Sequence, residues 1–201
     1  MKKLNDYPVM NPVFEVQEVE ADERSATLVI EPLEQGYGHT IGNALRRVLL
    51  TSLPGSAISK VRIDGVSHEY TTLEGMKEDV VELILNLKQV KVKTTDSDDE
   101  LSLSLDVKGP AKVTAGDLKP DSGVEVINSD QHLATLADGK KLKLEAVVSS
   151  GIGYSMAQNR EAEVIGEIPV DALYSPVTQV SYQVEQTRVG RRTDYDKIVM
   201  E

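Results

Sequence analysis

Cysteine and tryptophan are absent from this 201-residue chain, and phenylalanine occurs once. Without cysteine there is no disulfide framework and no thiolate metal site. That absence is compatible with a cytoplasmic protein and equally with other compartments. Aromatic residues make up 4% of the chain against 40% hydrophobic residues in all, so aliphatic side chains carry the packing. Long apolar runs are missing too, and none approaches the roughly 20 residues that a membrane-spanning helix requires. The opening MKKLNDYPVM has two lysines with no apolar segment behind them, and does not read as a signal peptide. Positive charge is the last shortage. Lys and Arg number 22 against 33 Asp and Glu, a formal net charge of −11. Neutralising phosphates needs clustered cations, so this balance argues against nonspecific binding to DNA or to an anionic membrane.

The stretch that organises the chain is GYGHTIGNALRRVLLTSLPG, residues 36–55. It predicts a helix over 40–53, with Thr40 as N-cap and Pro54-Gly55 closing it. Ile41, Ala44, Leu45, Val48 and Leu49 share one face at the i, i+3, i+4, i+7, i+8 spacing of a buried stripe. Leu50 falls opposite them, flanked by Asn43, Arg46 and Arg47. A leucine between arginines is a candidate protein-contact patch, because Arg and large apolar groups anchor interface centres. Single exposed leucines are also common, and the helical wheel leaves both readings open.

Around this helix the pattern is mostly β. Phe14 and Val16 alternate with polar residues, as do Ala26, Leu28 and Ile30, with Ala21-Asp22-Glu23-Arg24 between them; this predicts a hairpin whose second strand ends at Pro32. A strand over Ile58–Ile63, the pair Asp64-Gly65 and then Val66, His68 and Tyr70 predict a second hairpin. Thr71 and Glu74 suggest a capping box for a helix of about 75–88 that buries Met76, Val80, Leu83, Ile84 and Leu87. Val90 and Val92, LSLSLDV (101–107), 124–127, 134–136 and 142–148 read as strands, the last two as a hairpin about Asp138-Gly139. Residues 149–163 read as a mobile loop. A short strand at Ile168 and Val170, then Val180, Tyr182 and Val184, a turn at Gly190 and a final strand at Ile198–Met200 complete the chain. Antiparallel strands with two clear helices give an α+β fold.

Catalytic patterns are weak. Gly36, Gly38 and Gly42 before a helix mimic a dinucleotide fingerprint. The preceding strand ends too early for its tight turn, and Asp64 serves better in a hairpin. The glycines then permit positive φ or the close approach of another backbone, and Gly42 would let a partner helix come near. The histidines, His39, His68 and His132, have no HxH or HxxxH spacing, so a metal site is not indicated. The DSDD run at 96–99 reads as a solvated turn, and Arg188, Arg191 and Arg192 as a solvated hairpin. No catalytic residue, cofactor or metal site is assigned.

Three blocks carry a family resemblance: EPLEQGYGHTIGNALRRVLLTSLPG (31–55), VRIDGVSHEYTTLEGMKEDVVELILNLK (61–88) and VDALYSPVTQVSYQVEQTRVGRRTDYDKIVME (170–201). In this order they resemble the N-terminal domain of the bacterial RNA polymerase alpha subunit. The resemblance implies an antiparallel sheet with two main helices forming a dimerisation subdomain, residues 1–54 and 177–201. It also implies an inserted mostly-β subdomain, 55–176, contacting the large subunits. It implies a non-catalytic, cytoplasmic subunit of a nucleotidyltransferase, with no small-molecule substrate of its own. The chain would pair as a homodimer through Tyr37, Ile41, Leu45 and Leu49. Arg47, Leu50 and His68 would meet the beta subunit, and Lys88 and Val170 the beta-prime subunit. QNREAE at 158–163 matches an acidic loop touched by some activators, but is less acidic here. The family continues into a long helix that completes the dimer interface, then a linker and a DNA-binding domain. The chain stops inside an apparent strand at Glu201, so a truncation is expected, and direct DNA binding is not.

Overall fold

The computed structural model of the chain describes residues 13–22, 24–95, 101–160 and 166–201. The expected turn residue Glu23, residues 96–100 of the acidic loop and residues 161–163 of the expected activator-facing loop lie outside the described residues. In chain order the strands and helices are β1 (Glu15–Ala21), β2 (Ala26–Leu33), α1 (Tyr37–Thr51), β3 (Pro54–Ile63), α2 (Val80–Lys88), β4 (Val92–Thr94), β5 (Leu101–Lys108), β6 (Ala111–Thr114), β7 (Lys119–Pro120), β8 (Val124–Val126), β9 (His132–Leu136), β10 (Lys141–Ile152), β11 (Tyr154–Ser155), β12 (Glu167–Pro169), β13 (Ala172–Leu173), β14 (Tyr182–Val189) and β15 (Arg192–Met200). Every described strand pairing is antiparallel and the architecture is α+β. The chain divides into two compact units, Met1–Leu50 with Val177–Glu201, and Thr51–Pro176.

The first unit is a sheet in the order β1-β2-β15-β14 with α1 packed on it. Its core is small: Ile30, Leu33, Val180, Ile198 and Met200, with Ile41, Leu45, Leu49 and Leu50 of α1 and Tyr182 and Val184 of β14 laid against them. Strand β2 carries Pro32 within it and ends one residue later. Helix α1 starts at Tyr37, ahead of the expected Thr40. What fixes that start is remote in sequence. The backbone N–H groups of Gly36 and Gly38 both donate to Oδ2 of buried Asp196, at 2.9 Å each. A carboxylate there satisfies otherwise orphaned donors and opposes the positive end of the helix dipole.

Gly38 and Gly42 are the buried residues of α1. A Cβ on Gly42 would stand 2.6 Å from the Tyr182 ring, and one on Gly38 2.5 Å from Val184 Cγ1. These glycines bring α1 directly onto β14 of its own sheet, which corrects the expectation that Gly42 makes room for a partner helix. The stripe expected to be buried is correspondingly rotated. Leu45 and Leu49 lie half-buried beside the glycines, whereas Ala44 and Val48 are exposed. Leu50 does not face away from the core as the wheel suggests; it is half-buried against it.

The second unit is built on β10, whose twelve residues pair with β5 along one edge and β3 along the other. Its alternation is strict: Leu142, Leu144, Ala146 and Val148 are buried while Lys141, Lys143 and Glu145 are exposed. The apolar face meets Val80, Leu83 and Leu87 of α2, each with no exposed surface, and Leu133, Ala134 and Leu136 of β9. Where α2 begins differs from expectation. Asp79 is the N-cap, accepting from the Glu82 N–H at 2.6 Å, and Gly75 sits at a φ of +88° that helix does not permit. Thr71 instead donates its hydroxyl to the His68 carbonyl at 2.7 Å.

Two expected hairpins do not form, for one reason: their strands already have partners. Around Val61 and Arg62, β3 pairs with β10 on one side and β12 on the other, so 66–70 finds no edge and folds as turns. Strand β9 pairs with β6, not with β10, across the Asp138-Gly139 turn. Residues 149–152, expected as loop, extend β10. The two ends of this unit meet: a Cβ on Gly55 would fall 1.9 Å from the Tyr174 carbonyl oxygen. The Tyr174 ring also covers Gly151, and its hydroxyl lies 2.8 Å from Ser149 Oγ.

Glu78 locks the approach to α2 onto β9. Its buried carboxylate lies 2.9 Å from His132 Nε2 and accepts from the Thr135 N–H at 2.6 Å and the Thr135 hydroxyl at 2.9 Å. Burial pushes the Glu78 carboxyl up, but the bonds from His132 and Thr135 outweigh it and bring it down from 4.5 to about 2. A depressed carboxylate stabilises the fold above its unfolded value and loses that contribution as pH falls through its folded one. The stability of the second unit against urea should therefore fall as pH drops from about 4.5 to 2, and Glu78→Gln should flatten that slope, by on the order of 3 kcal/mol. An unchanged slope in Glu78→Gln would remove Glu78 as its source. For the first unit, Asp196→Ala should cost about 2 kcal/mol and speed amide exchange in the first turn of α1 by at least about tenfold. Exchange at the wild-type rate would show that the helix end stands without the carboxylate.

Candidate functional site

The candidate surfaces are those that carry exposed apolar groups beside fixed charges. On α1, the rotation imposed by Gly38 and Gly42 leaves Tyr37 59% and Val48 50% exposed. With exposed Ala44 between them and half-buried Ile41 at the margin, they form one strip at 37, 41, 44 and 48, the spacing of a helix–helix seam. The strip lies roughly a quarter-turn from the inward line of Gly38, Gly42, Leu45 and Leu49 at 100° per residue. Of the four residues named for a dimer contact, Tyr37 is outermost, while Ile41, Leu45 and Leu49 also serve the core. Arg46 and Arg47 are exposed, and Leu50 beside them is anchored in the core cluster.

His68 belongs to the second unit and sits in the turns after β3, not on a strand. It is exposed, with its Nδ1 3.1 Å from Thr71 Oγ1. Arg47 and His68 are thus carried by different units.

Lys88 ends α2, where its charge suits the negative end of the helix. Its ammonium donates to Asp171 Oδ2 at 3.1 Å and to the Tyr154 hydroxyl at 3.4 Å, and stands 5.2 Å from the centre of the Tyr154 ring. Asp171 is the hub: it also accepts from the Tyr154 hydroxyl at 2.6 Å and from the Ala157 N–H at 2.8 Å. The Ala157 N–H first, then Tyr154 and Lys88, hold its carboxyl down at about 2. Burial alone would lower the Lys88 ammonium; the bonds to Asp171 and Tyr154 more than offset that and leave it raised. Beside this cluster lies a groove of about 620 Å³ lined by Leu85, Lys88, Gln89, Lys91, Gln131 and Leu173. Val170, expected at the surface, is 2% exposed and belongs to the core, with its N–H donating to the Ser59 carbonyl at 2.8 Å. Its side chain is therefore covered in this structure; beside it Asp171 is half-buried and Leu173 exposed.

Other candidates are absorbed by the fold. The N–H groups at the start of α1, which a phosphate would need, are taken by Asp196. Arg188 donates to the Gly190 carbonyl and Arg192 to both oxygens of Asp194, so two of the three clustered arginines are engaged in their own hairpin. Among the described residues no group of three or more His, Asp or Glu side chains could hold a metal ion, and no helix is long and apolar enough to cross a membrane. Sequence reading missed Asp196, Asp171 and Tyr154. Asp196 stands 158 residues from the Gly38 amide it binds, and nothing local signals that pairing. Asp171 adjoins Val170, and Tyr154 lies in the stretch read as a loop.

Residues 61–175 match the family described as the RNA polymerase Rpb3/RpoA insert domain. A protein of Leuconostoc mesenteroides named DNA-directed RNA polymerase subunit alpha is 50% identical over 190 residues, which cover 92% of this chain and 60% of that protein. The protein of the same name from Limosilactobacillus reuteri is 48% identical over 190 residues, with the same coverage. The chain thus spans about 60% of the length of these relatives. On the strength of the matched domain and of this identity, the chain belongs to the family of DNA-directed RNA polymerase alpha subunits.

Proposed function

We propose that this chain is a non-catalytic assembly scaffold of a cytoplasmic RNA polymerase. Two copies pair through α1, and the pair binds the beta and beta-prime subunits, where nucleotidyl transfer takes place. The observation that carries the reading is the exposed strip of Tyr37, Ala44 and Val48 beside exposed Arg46 and Arg47. A helix that covers its own core with glycines and still shows an aligned apolar strip has a second surface to bury. Tyr37, Ile41, Leu45 and Leu49 are assigned to the pairing, and the exposure of Ala44 and Val48 on the same strip supports including them.

Arg47 is assigned to the beta subunit, with Leu50 as its apolar neighbour and His68 as a separate contact from the second unit. A guanidinium suits such a contact because its planar fork pairs bidentately with carboxylate or carbonyl oxygens. The Lys88 surface is assigned to beta-prime, with Val170 supporting it from beneath. Binding to DNA or to a small molecule is not part of the reading, in keeping with the net charge of −11.

Two measurements test it. Arg47→Ala should abolish capture of the beta subunit in a pull-down, a loss of at least about 2 kcal/mol, with circular dichroism unchanged. Capture at the wild-type level, or a lost dichroism signal, would overturn Arg47 as a docking group. Val48→Asp should convert the dimer to monomer in sedimentation, because an unpaired carboxylate cannot be buried in the seam. An unchanged dimer would remove this face of α1 from the interface.

A further inference from the structure

The ammonium of Lys88 is spent inside the chain. Asp171 neutralises it, the Tyr154 ring covers one side, and the side chain is only 31% exposed. Around it the apolar groups stand further out. Leu85, one turn earlier on α2, is 54% exposed, and Leu173 lines the same groove at 42%. Leu173 is held by little of its own. It sits in the ribbon formed by β11 and β13, which pair through two residue pairs, Tyr154 with Leu173 and Ser155 with Ala172. A ribbon that short is not stable unaided. Its ties to the rest of the unit include the packing of Ala172 against Ala57 and Tyr174, the Lys88 ammonium on Asp171 and Tyr154, and the Arg160 guanidinium, which donates to the Ser59 carbonyl at 2.7 Å and to that of Ser155 at 2.9 Å; within the ribbon, Tyr154 and Ala157 donate to Asp171.

We infer that Lys88 serves the beta-prime contact as a positioning residue: with Asp171 it latches the β11–β13 ribbon to the end of α2, and the partner meets Leu85 and Leu173, not the ammonium. Three donors converge on one carboxylate and draw α2, β11 and the turn at Ala157–Asn159 together. An ammonium already neutralised by Asp171 at 3.1 Å gains less from a partner's acid than an unpaired one would, and a pull away from Asp171 would loosen the bond that joins α2 to the ribbon. An apolar pair, by contrast, gains by losing water. The inference rests on the beta-prime reading of this surface given above.

The test is a double-mutant cycle on binding of beta-prime to the chain. Lys88→Met and Asp171→Asn should each weaken binding by about tenfold, and the double variant by no more than either alone. Each should also speed amide exchange at 153–156. Leu85→Ser, at an exposed position, should weaken binding while leaving that exchange unchanged. Additive losses from Lys88→Met and Asp171→Asn, or a Lys88→Met variant that loses binding with exchange at the wild-type rate, would show that the ammonium touches the partner and overturn the latch. A Lys88→Met variant that binds as wild type would overturn it as well. Failure of the unaltered chain to bind beta-prime at all would instead sink the assignment of the surface.

Discussion

The close seating of α1 on β14 is the constraint from which the first unit follows. Helices commonly bury a stripe of large side chains; α1 buries Gly38 and Gly42. Contact with Tyr182 and Val184 at distances no side chain would tolerate fixes the helix's height and its rotation together. With the rotation fixed, Leu45 and Leu49 close the small core, and Tyr37, Ala44 and Val48 are turned outward. Asp196 supports the same seating electrostatically, because its carboxylate reaches the helix end only while the helix lies on the sheet that carries it. Packing and charge thus specify one pose, which is how a core of few large groups holds a helix in place.

The second unit obeys another logic. Its long central strand has both edges occupied, and its apolar face is sealed by α2 and β9. Polar groups at its periphery are arranged as hubs: Glu78 gathers His132 and Thr135, and Asp171 gathers Lys88, Tyr154 and Ala157. Each hub ties a segment lacking secondary structure, or having almost none, to a well-paired element. Carboxylates suit the task because one group accepts several hydrogen bonds, and bonds to a charged acceptor are the stronger ones.

How much of this was legible in the sequence depended on the range of the interaction. Alternation located β2, β5 and β14, since period two reports a half-buried strand whatever its partner; β1 alternates in sequence yet is exposed at every residue, and β15 was legible only over Ile198–Met200. The interior of α2 was equally clear from Val80, Leu83 and Leu87. Partnerships were not legible: Asp64-Gly65 and Asp138-Gly139 carry the local chemistry of hairpin turns, yet the adjoining residues pair elsewhere or not at all. Whether an edge is vacant is decided by distant strands. The same holds for α1. Its wheel ranks residues by size and treats glycine as neutral, so it aimed the core face at Ala44 and Val48. Only the presence of Tyr182 opposite Gly42 reveals the true inward side. Of the residues proposed for docking, Tyr37 and Arg47 lie at the surface, whereas buried Val170 could not be told from its more accessible neighbours by a valine's hydrophobicity alone.

The contact of Gly55 with the Tyr174 carbonyl carries a consequence for the chain as a whole. It clasps the entry and exit of the second unit at one point, backbone to backbone, where no side chain could fit. A segment whose two ends coincide behaves as a cassette: it can change length or content between the clasped ends while those ends stay together. Tolerance for insertion, ordinarily a property of surface loops, is here built into a folded body more than a hundred residues long.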